Sequence, residues 1–204
     1  MTSSVYRQSS ANHEANAAVD GSNQYLWRMN RRRLEAEEIR DAILSVSGCL
    51  DLKMGGPGYF LFSLEKETHS PHFEYHHFNP EDPASHRRSI YRFIVRSQPD
   101  PYMTTLDCAD SSQSTPRRTE TVTALQALAM LNNKFNLVMS KKFATRLMKV
   151  SVDKSPQVDF GFELITGRLP SAEEHRQLQE YADRFGMVNL CRLLFSLNEF
   201  VYID

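Results

Sequence analysis

Two aspartates that bracket a cysteine are the strongest candidates for catalysis in this sequence. Asp107 and Asp110 flank Cys108 in a polar segment, and Arg117 and Arg118 follow it. Acid–base chemistry needs two carboxylates in different environments, and loops often carry such groups. The segment therefore suggests a hydrolase-like site, with Asp107 and Asp110 as catalytic residues. The alternative is structural, with the aspartates closing turns and pairing with the two arginines.

Arginines offer candidate binding residues, namely Arg31, Arg117 and Arg118. The run Arg31–Arg33 could grip phosphates or an acidic glycan. Three adjacent helical residues point in three directions, however, and acidic residues follow on the next turns. Mixed-sign helices usually present solvated, salt-bridged faces, so the pattern favours a structural role for this run.

A dense group of histidines raises the question of a metal site. Its members are His69, His72, His76, His77 and His86. Metal binding needs imidazoles that converge from a rigid frame, whereas Pro71 and Pro80 indicate a loop. The sequence also lacks CxxC and CxxCH, the motifs of zinc knuckles and attached haem. We therefore expect no metal and no cofactor, and keep metal or redox partnering through the histidines as a weaker alternative.

Aromatic residues in and near the same segment have two interpretations. They are Phe73, Tyr75, Phe78, Tyr91 and Tyr102. They could form a sugar-binding surface, or they could pack a strand against the helices, which the composition favours. The chain has no G-x-S-x-G, P-loop or H-E-x-x-H motif, so the common enzymes that carry these motifs are not supported.

Charge and hydropathy limit the partners. The 204 residues include 24 Lys and Arg against 25 Asp and Glu. This balance argues against binding to nucleic acid or to an anionic membrane through the whole surface. No apolar run is long enough to span a bilayer, and the polar N-terminus has no secretory signal. The sequence leaves the localisation unknown.

The first half of the chain predicts an arm and one long helix. Residues 1–22 lack a hydrophobic period and predict a flexible N-terminal arm. Residues 24–47 predict a helix that stops at Gly48. Glu35 falls on the same stripe as Ile39, Ala42 and Val46, so we expect it to be buried and paired with an arginine.

The rest of the chain predicts an irregular middle and a helical end. Residues 51–58 are rich in turn formers, residues 59–86 are irregular, and residues 89–96 alternate as a strand would. Thr123 and Gln126 form a capping box at the start of a helix. Further helices follow to the end. The sequence thus predicts a mainly α fold, a single helical domain over 23–204 with a long loop and short-strand insertion in its middle.

Several strings carry a resemblance to a known family. They are LWRMNRRRLEAEEIRDAILSVSG, MGGPG, SIYRFIVRS, RRTETVTALQALAMLN, GRLPSAEE and LLFSLNEFVYID, in this order. Together they resemble the C-terminal domain of unknown function of large planctomycete cytochrome-domain proteins. The chain departs from the pattern at Ala124, where the family often has proline, and in the histidine-rich loop.

The resemblance implies context rather than mechanism. It implies that the chain is the C-terminal part of a larger domain in a multidomain, extracytoplasmic protein, and it supplies no catalytic residues. We therefore expect a non-catalytic scaffold or interaction module. Its partners would be other domains of the same or an associated protein, with a polysaccharide as a further candidate. The alternative is the polysaccharide-directed hydrolase site centred on Asp107 and Asp110.

Overall fold

Helices are the main regular structure in the part of the chain that the structure describes. The computed structural model describes residues 2–65 and 71–203. Its α-helices are α1 (Glu14–Val19), α2 (Ala36–Val46), α3 (Pro101–Thr105), α4 (Ala124–Asn132), α5 (Lys134–Met148), α6 (Lys154–Thr166), α7 (Ala172–Phe185), α8 (Met187–Leu194) and α9 (Asn198–Val201). Its strands are β1 (Arg32–Arg33), β2 (Ser63–Glu65), β3 (His72–Glu74) and β4 (Tyr202–Ile203). The mainly α fold that the sequence predicts is confirmed.

The core lies between α2 and the last six helices. Phe143 of α5 stacks on Phe195, which follows α8, with ring centroids 5.6 Å apart. Helices α5 and α6 approach closely because α6 has Gly161 at the contact. A Cβ at Gly161 would lie 2.8 Å from Leu147 Cδ1, so a larger residue there would require the buried Leu147 side chain to shift.

Local signals define where these helices begin. The Thr123 hydroxyl accepts a hydrogen bond from the Gln126 amide, and the Gln126 side chain accepts one from the Thr123 amide. Ser171 and Glu174 make the same reciprocal pair at α7. Each box satisfies backbone donors that a helix leaves unpaired in its first turn, so α4 and α7 begin where the sequence pattern indicates.

The long helix predicted over residues 24–47 is wrong in its first half. Helix α2 begins only at Ala36, with Glu35 as its N-cap residue. Before it, Asn23 and Leu26 have positive φ angles of 57° and 54°, which no α-helix tolerates. Arg32 and Arg33 instead pair as β1 with the antiparallel strand β4. Pairing with a distant strand has overridden local helix propensity.

The central insertion, residues 47–123 between α2 and α4, contains little regular structure where it is described, at residues 47–65 and 71–123. Strands β2 and β3 form an antiparallel pair, and short 3₁₀ turns lie at Tyr75–His77, Pro83–Ser85 and Ser89–Tyr91. The strand predicted over residues 89–96 is wrong. The Asp41 carboxylate of α2 accepts hydrogen bonds from the Ser89 amide and hydroxyl, which holds the start of this segment in a turn.

The flexible arm over residues 1–22 and the single domain over residues 23–204 stay predictions. Residues Glu14–Val19 form α1, which has no buried residue, but the structure does not test whether the arm is flexible. Among the described residues, no helix has both the length and the hydropathy needed to cross a membrane.

Candidate functional site

Asp107, the first candidate catalytic acid, is held by hydrogen bonds from β1, from α4 and from the segment before α4. Its Oδ2 accepts from Arg33 Nη1 at 2.8 Å, the Thr121 amide at 2.8 Å and Gln126 Nε2 at 2.9 Å. The Thr121 hydroxyl lies 2.9 Å from Oδ1. The carboxylate thus ties β1 and the start of α4 to the end of α3, and we call this set the Asp107 cluster.

The electrostatics of Asp107 suit a structural anion. Its side chain is only 16% exposed. Burial by itself would raise the pKa of this carboxyl, but hydrogen bonds from Thr121, Arg33 and Gln126 outweigh burial and lower the pKa. A general acid needs a raised pKa and a free face toward substrate, whereas these donors keep Asp107 ionised and surround it.

Asp110, the second candidate, lies in a different environment. It is exposed and accepts hydrogen bonds from the Ser112 amide at 2.8 Å and Gln113 Nε2 at 3.2 Å. These contacts are those of an Asx turn, and the amide of Ser112 lowers the pKa of Asp110. The structure therefore gives the two aspartates separate structural partners rather than a common set of groups.

The candidate binding arginines have different surroundings. Arg118 forms an ion pair with Glu37 at 3.2 Å and approaches Glu35 at 3.6 Å. Arg31 and Arg117 are exposed. Asp107 forms its ion pair with Arg33 of the Arg31–Arg33 run, and not with Arg117 or Arg118 as the structural alternative expected.

Glu35 has an arginine neighbour, but the predicted burial is wrong. Its side chain is 40% exposed. The helical stripe that suggested burial does not extend to Glu35, because α2 starts only after it. Its role is that of a cap: Glu38 accepts a hydrogen bond from the Glu35 amide at 2.8 Å in a capping box at the start of α2.

The thiol of Cys108, next to Asp107 in the chain, contacts two charged side chains. Its thiol donates to Glu37 Oε1 at 3.3 Å, and Arg92 Nη2 lies 3.4 Å from its sulfur. Burial, and then the Glu37 carboxylate, raise the pKa of this thiol. A nucleophilic cysteine needs a lowered pKa, so the environment of Cys108 favours an unreactive, protonated thiol.

Arg40 is the buried charge that the sequence reasoning missed. Its guanidinium donates to the carbonyls of Ser85 and Arg87 and lies 3.6 Å from Asp41. The guanidinium carbon also lies 5.0 Å from the ring centroid of Tyr59. A signal existed, because Arg40 is four residues from both Ala36 and Leu44 and so falls on the buried face of α2.

Three of the candidate histidines have separate partners. His86 is buried, with Nε2 2.9 Å from the Pro80 carbonyl oxygen, while His76 lies 3.1 Å from Glu74 and His77 lies 3.4 Å from Glu65. His69 lies outside the described residues. Within residues 2–65 and 71–203, no three His, Cys, Asp or Glu side chains are grouped so that they could hold a metal ion.

Five rings of the central insertion form what we call the aromatic surface: Phe60, Phe62, Phe73, Tyr75 and Phe93. Phe62 is central, with ring centroids 5.0 Å from Phe73 and 5.5 Å from both Phe60 and Tyr75. Phe60 and Phe93 are 55% and 50% exposed. Two of the predicted aromatics, Phe73 and Tyr75, belong to this surface, whereas Tyr102 packs against Phe135.

His175 connects α6 and α7 through a polar cluster that the sequence reasoning also missed. Its Nδ1 lies 2.5 Å from Asp159 Oδ1, and its Nε2 lies 3.2 Å from Ser155 Oγ. The order Ser–His–Asp is that of a hydrolytic triad. However, Gln179 Oε1 lies closer to Nε2, at 2.9 Å, than Ser155 does. We therefore interpret the cluster as a contact between the two helices.

Comparisons with known proteins identify a family. A family model described as "PSD1: Protein of unknown function (DUF1553)" matches residues 1–182, so the chain belongs to that family. No curated protein matches the chain. No solved structure matches it either.

Proposed function

We propose that this member of the PSD1 family is a non-catalytic interaction module. The observation that carries the proposal is the Asp107 cluster. The carboxylate of Asp107, the strongest catalytic candidate, accepts hydrogen bonds from Arg33, Thr121 and Gln126. Asp110 closes a separate turn. Side chains bound in this way stabilise the structure. Neither aspartate is then available as the general acid or general base of a hydrolase.

The aromatic surface is the contact face in this proposal. Aromatic residues are enriched at protein interfaces, and exposed apolar patches on proteins often mark them. Phe60 and Phe93 have ring centroids 5.0 Å apart and are both about half exposed. We propose that a neighbouring domain of the same or an associated multidomain, extracytoplasmic protein packs against them. The family resemblance of the sequence supports this context.

An assay for hydrolysis tests the non-catalytic part of the proposal. The purified chain is incubated with a panel of polysaccharides, and the reducing ends released are measured against buffer. We expect no release above the buffer value. Asp110→Asn serves as the matched variant because Asp110 is exposed and its loss leaves the core intact. Release by the parent that Asp110→Asn abolishes would overturn the proposal in favour of a polysaccharide hydrolase.

Binding measurements test the contact face. The chain is titrated with the other domains of its natural protein, and Phe93→Ser is compared with Val152→Ser, which removes an apolar side chain that is 96% exposed elsewhere. Truncating a central aromatic residue at an interface typically costs 2 kcal/mol or more, which is roughly a thirtyfold loss of affinity. We expect that loss for Phe93→Ser and parental affinity for Val152→Ser. Equal affinity for both variants would exclude the aromatic surface as the contact face.

A further inference from the structure

A cleft separate from the Asp107 cluster lies between α2, the start of α3, the start of α5 and the central insertion. Its volume is about 340 Å³. Its walls are mostly apolar, with Leu61, Phe78, Pro101 and Phe135 among the lining residues. Small-molecule pockets typically have volumes of about 300–1,000 Å³, apolar walls and a few polar groups, so this cleft has the size and character of one for a small ligand.

Arg40 lines the cleft and has hydrogen-bond donors to spare. A guanidinium has five N–H donors. Nη1 donates to the Arg87 carbonyl and the Ser89 hydroxyl, and Nη2 donates to the Ser85 carbonyl. The described residues provide no acceptor for Nε–H or for the second Nη2–H. Nε–H lies on the guanidinium edge that it shares with Nη2, and an edge of this kind can bind a carboxylate through two parallel hydrogen bonds.

The other charged groups of the cleft favour an anion. Lys134 lines it and donates to the Phe78 carbonyl oxygen at 3.1 Å, and it has no ion pair within the described chain. Asp100 is the one carboxylate among the lining residues. Its charge is offset by amides of Tyr102 and Met103 and by Arg92 at 3.9 Å, and burial raises its pKa.

We propose that this cleft binds a small organic acid, with its carboxylate on Arg40 and its apolar body against Leu61, Phe78 and Phe135. Arg40 donates to the carboxylate through the donors that its carbonyl partners leave free, and Lys134 adds a second positive charge. The apolar wall strengthens the contact with the buried Arg40 because it excludes water. This binding site is additional to the interaction role proposed above and does not depend on it.

Calorimetric titration of the full chain with 3-phenylpropionate tests the proposal. The neutral amide of the same acid is the matched ligand, because it keeps the shape and removes the charge. Hydrogen bonds to charged groups contribute about 1.5–3 kcal/mol, so we expect the amide to bind at least tenfold more weakly. No saturable binding of the acid, or equal binding of acid and amide, would overturn the proposal.

Three variants locate the binding. Leu61→Trp fills the cleft and should abolish binding, and Lys134→Gln should weaken it severalfold. Lys142→Gln makes the same substitution at an exposed residue of the same helix outside the cleft, and should leave affinity unchanged. Arg40→Lys should weaken binding at least tenfold where the variant folds. If Leu61→Trp binds as the parent does, or if Lys142→Gln weakens binding as much as Lys134→Gln, the site lies elsewhere and the proposal fails.

Discussion

The C-terminal helices and the central insertion are stabilised in different ways. In α4 to α8, backbone groups pair within each helix, and apolar residues such as Leu147 and Phe143 fill the space between helices. In the insertion, backbone carbonyls are bound by arginine side chains. Arg40 holds the carbonyls of Ser85 and Arg87, and Arg87 itself holds those of Gly55 and Pro57.

This difference shows why the two regions should respond differently to mutation. A helix satisfies its own backbone, so losing one surface contact costs little. Irregular buried backbone needs partners from elsewhere, and an unsatisfied buried polar group costs about 1–3 kcal/mol. The insertion should therefore depend on a few charged residues, while the helices depend on many interchangeable apolar contacts.

The largest expected effect follows from removing Arg40. Arg40→Met keeps much of the side-chain volume but leaves the carbonyls of Ser85 and Arg87 without their donor and Asp41 without its nearby cation. Breaking a buried charged contact from one side typically costs about 3–5 kcal/mol. Urea unfolding of parent and variant measures this loss. Arg176→Met, an exposed arginine on α7, is the control and should change stability by less than ~0.5 kcal/mol. Similar values for the two variants would contradict the comparison.

Asp107→Asn should have the next largest effect. Asparagine is isosteric but uncharged, and it cannot accept all the donors of Thr121, Arg33 and Gln126. We expect a loss of about 1.5–3 kcal/mol near neutral pH, the value of hydrogen bonds to charged groups. Because the folded-state pKa of Asp107 is lowered, its contribution is present above the unfolded value near 3.8 and is lost as pH falls through the folded pKa. A difference between parent and variant that stayed constant down to low pH would argue against this role.

Thr123→Ala should have a smaller effect, because it removes one cap from a helix that packs on others. We expect a loss of about 1 kcal/mol. Ser171→Ala removes the equivalent hydroxyl at α7 and should cost a similar amount. An unchanged thermal midpoint for Thr123→Ala would show that the hydroxyl of Thr123 does not stabilise α4.

The smallest expected effect concerns the pH dependence of the His175 contact. A hydrogen bond to Asp159 raises the pKa of His175 above 6.5. The protonated form is therefore favoured in the folded state, and its contribution is fully present below pH 6.5 and is lost as pH rises through the raised pKa. The stability difference between parent and His175→Gln should shrink over that range in urea unfolding. A difference that grows with pH would show that His175 is held in its neutral form.

The sequence predicted the helical half well because its signals are local. The capping residues Thr123 and Ser171 lie within one turn of the groups they bind, and Gly167 ends α6 with a positive φ of 74°. The start of α2 was misplaced, because pairing of Arg33 with Tyr202 depends on a partner far away in the sequence.

The candidate site was harder to predict for the same reason. The spacing of Asp107 and Asp110 suggested an acid pair, but the partners that decide their roles are Arg33 and Ser112, one distant and one local. Arg40 could have been recognised from its place on the buried face of α2. The carbonyl groups of Ser85 and Arg87 that accept its hydrogen bonds could not have been predicted. Every residue has a backbone carbonyl, so residue type does not show which ones lie near Arg40.

The pairing of β1 with β4 has a consequence for the order of folding. Arg32 and Ile203 are partners across about 170 residues of chain, and the entropic cost of closing a loop rises with its length. Each strand has only two residues, so their pairing offers little to offset that cost before α2 and α9 are in place. The strands should therefore join last in refolding. The Leu34 amide, which donates to the Val201 carbonyl at 2.7 Å, should be among the last to gain protection from hydrogen exchange.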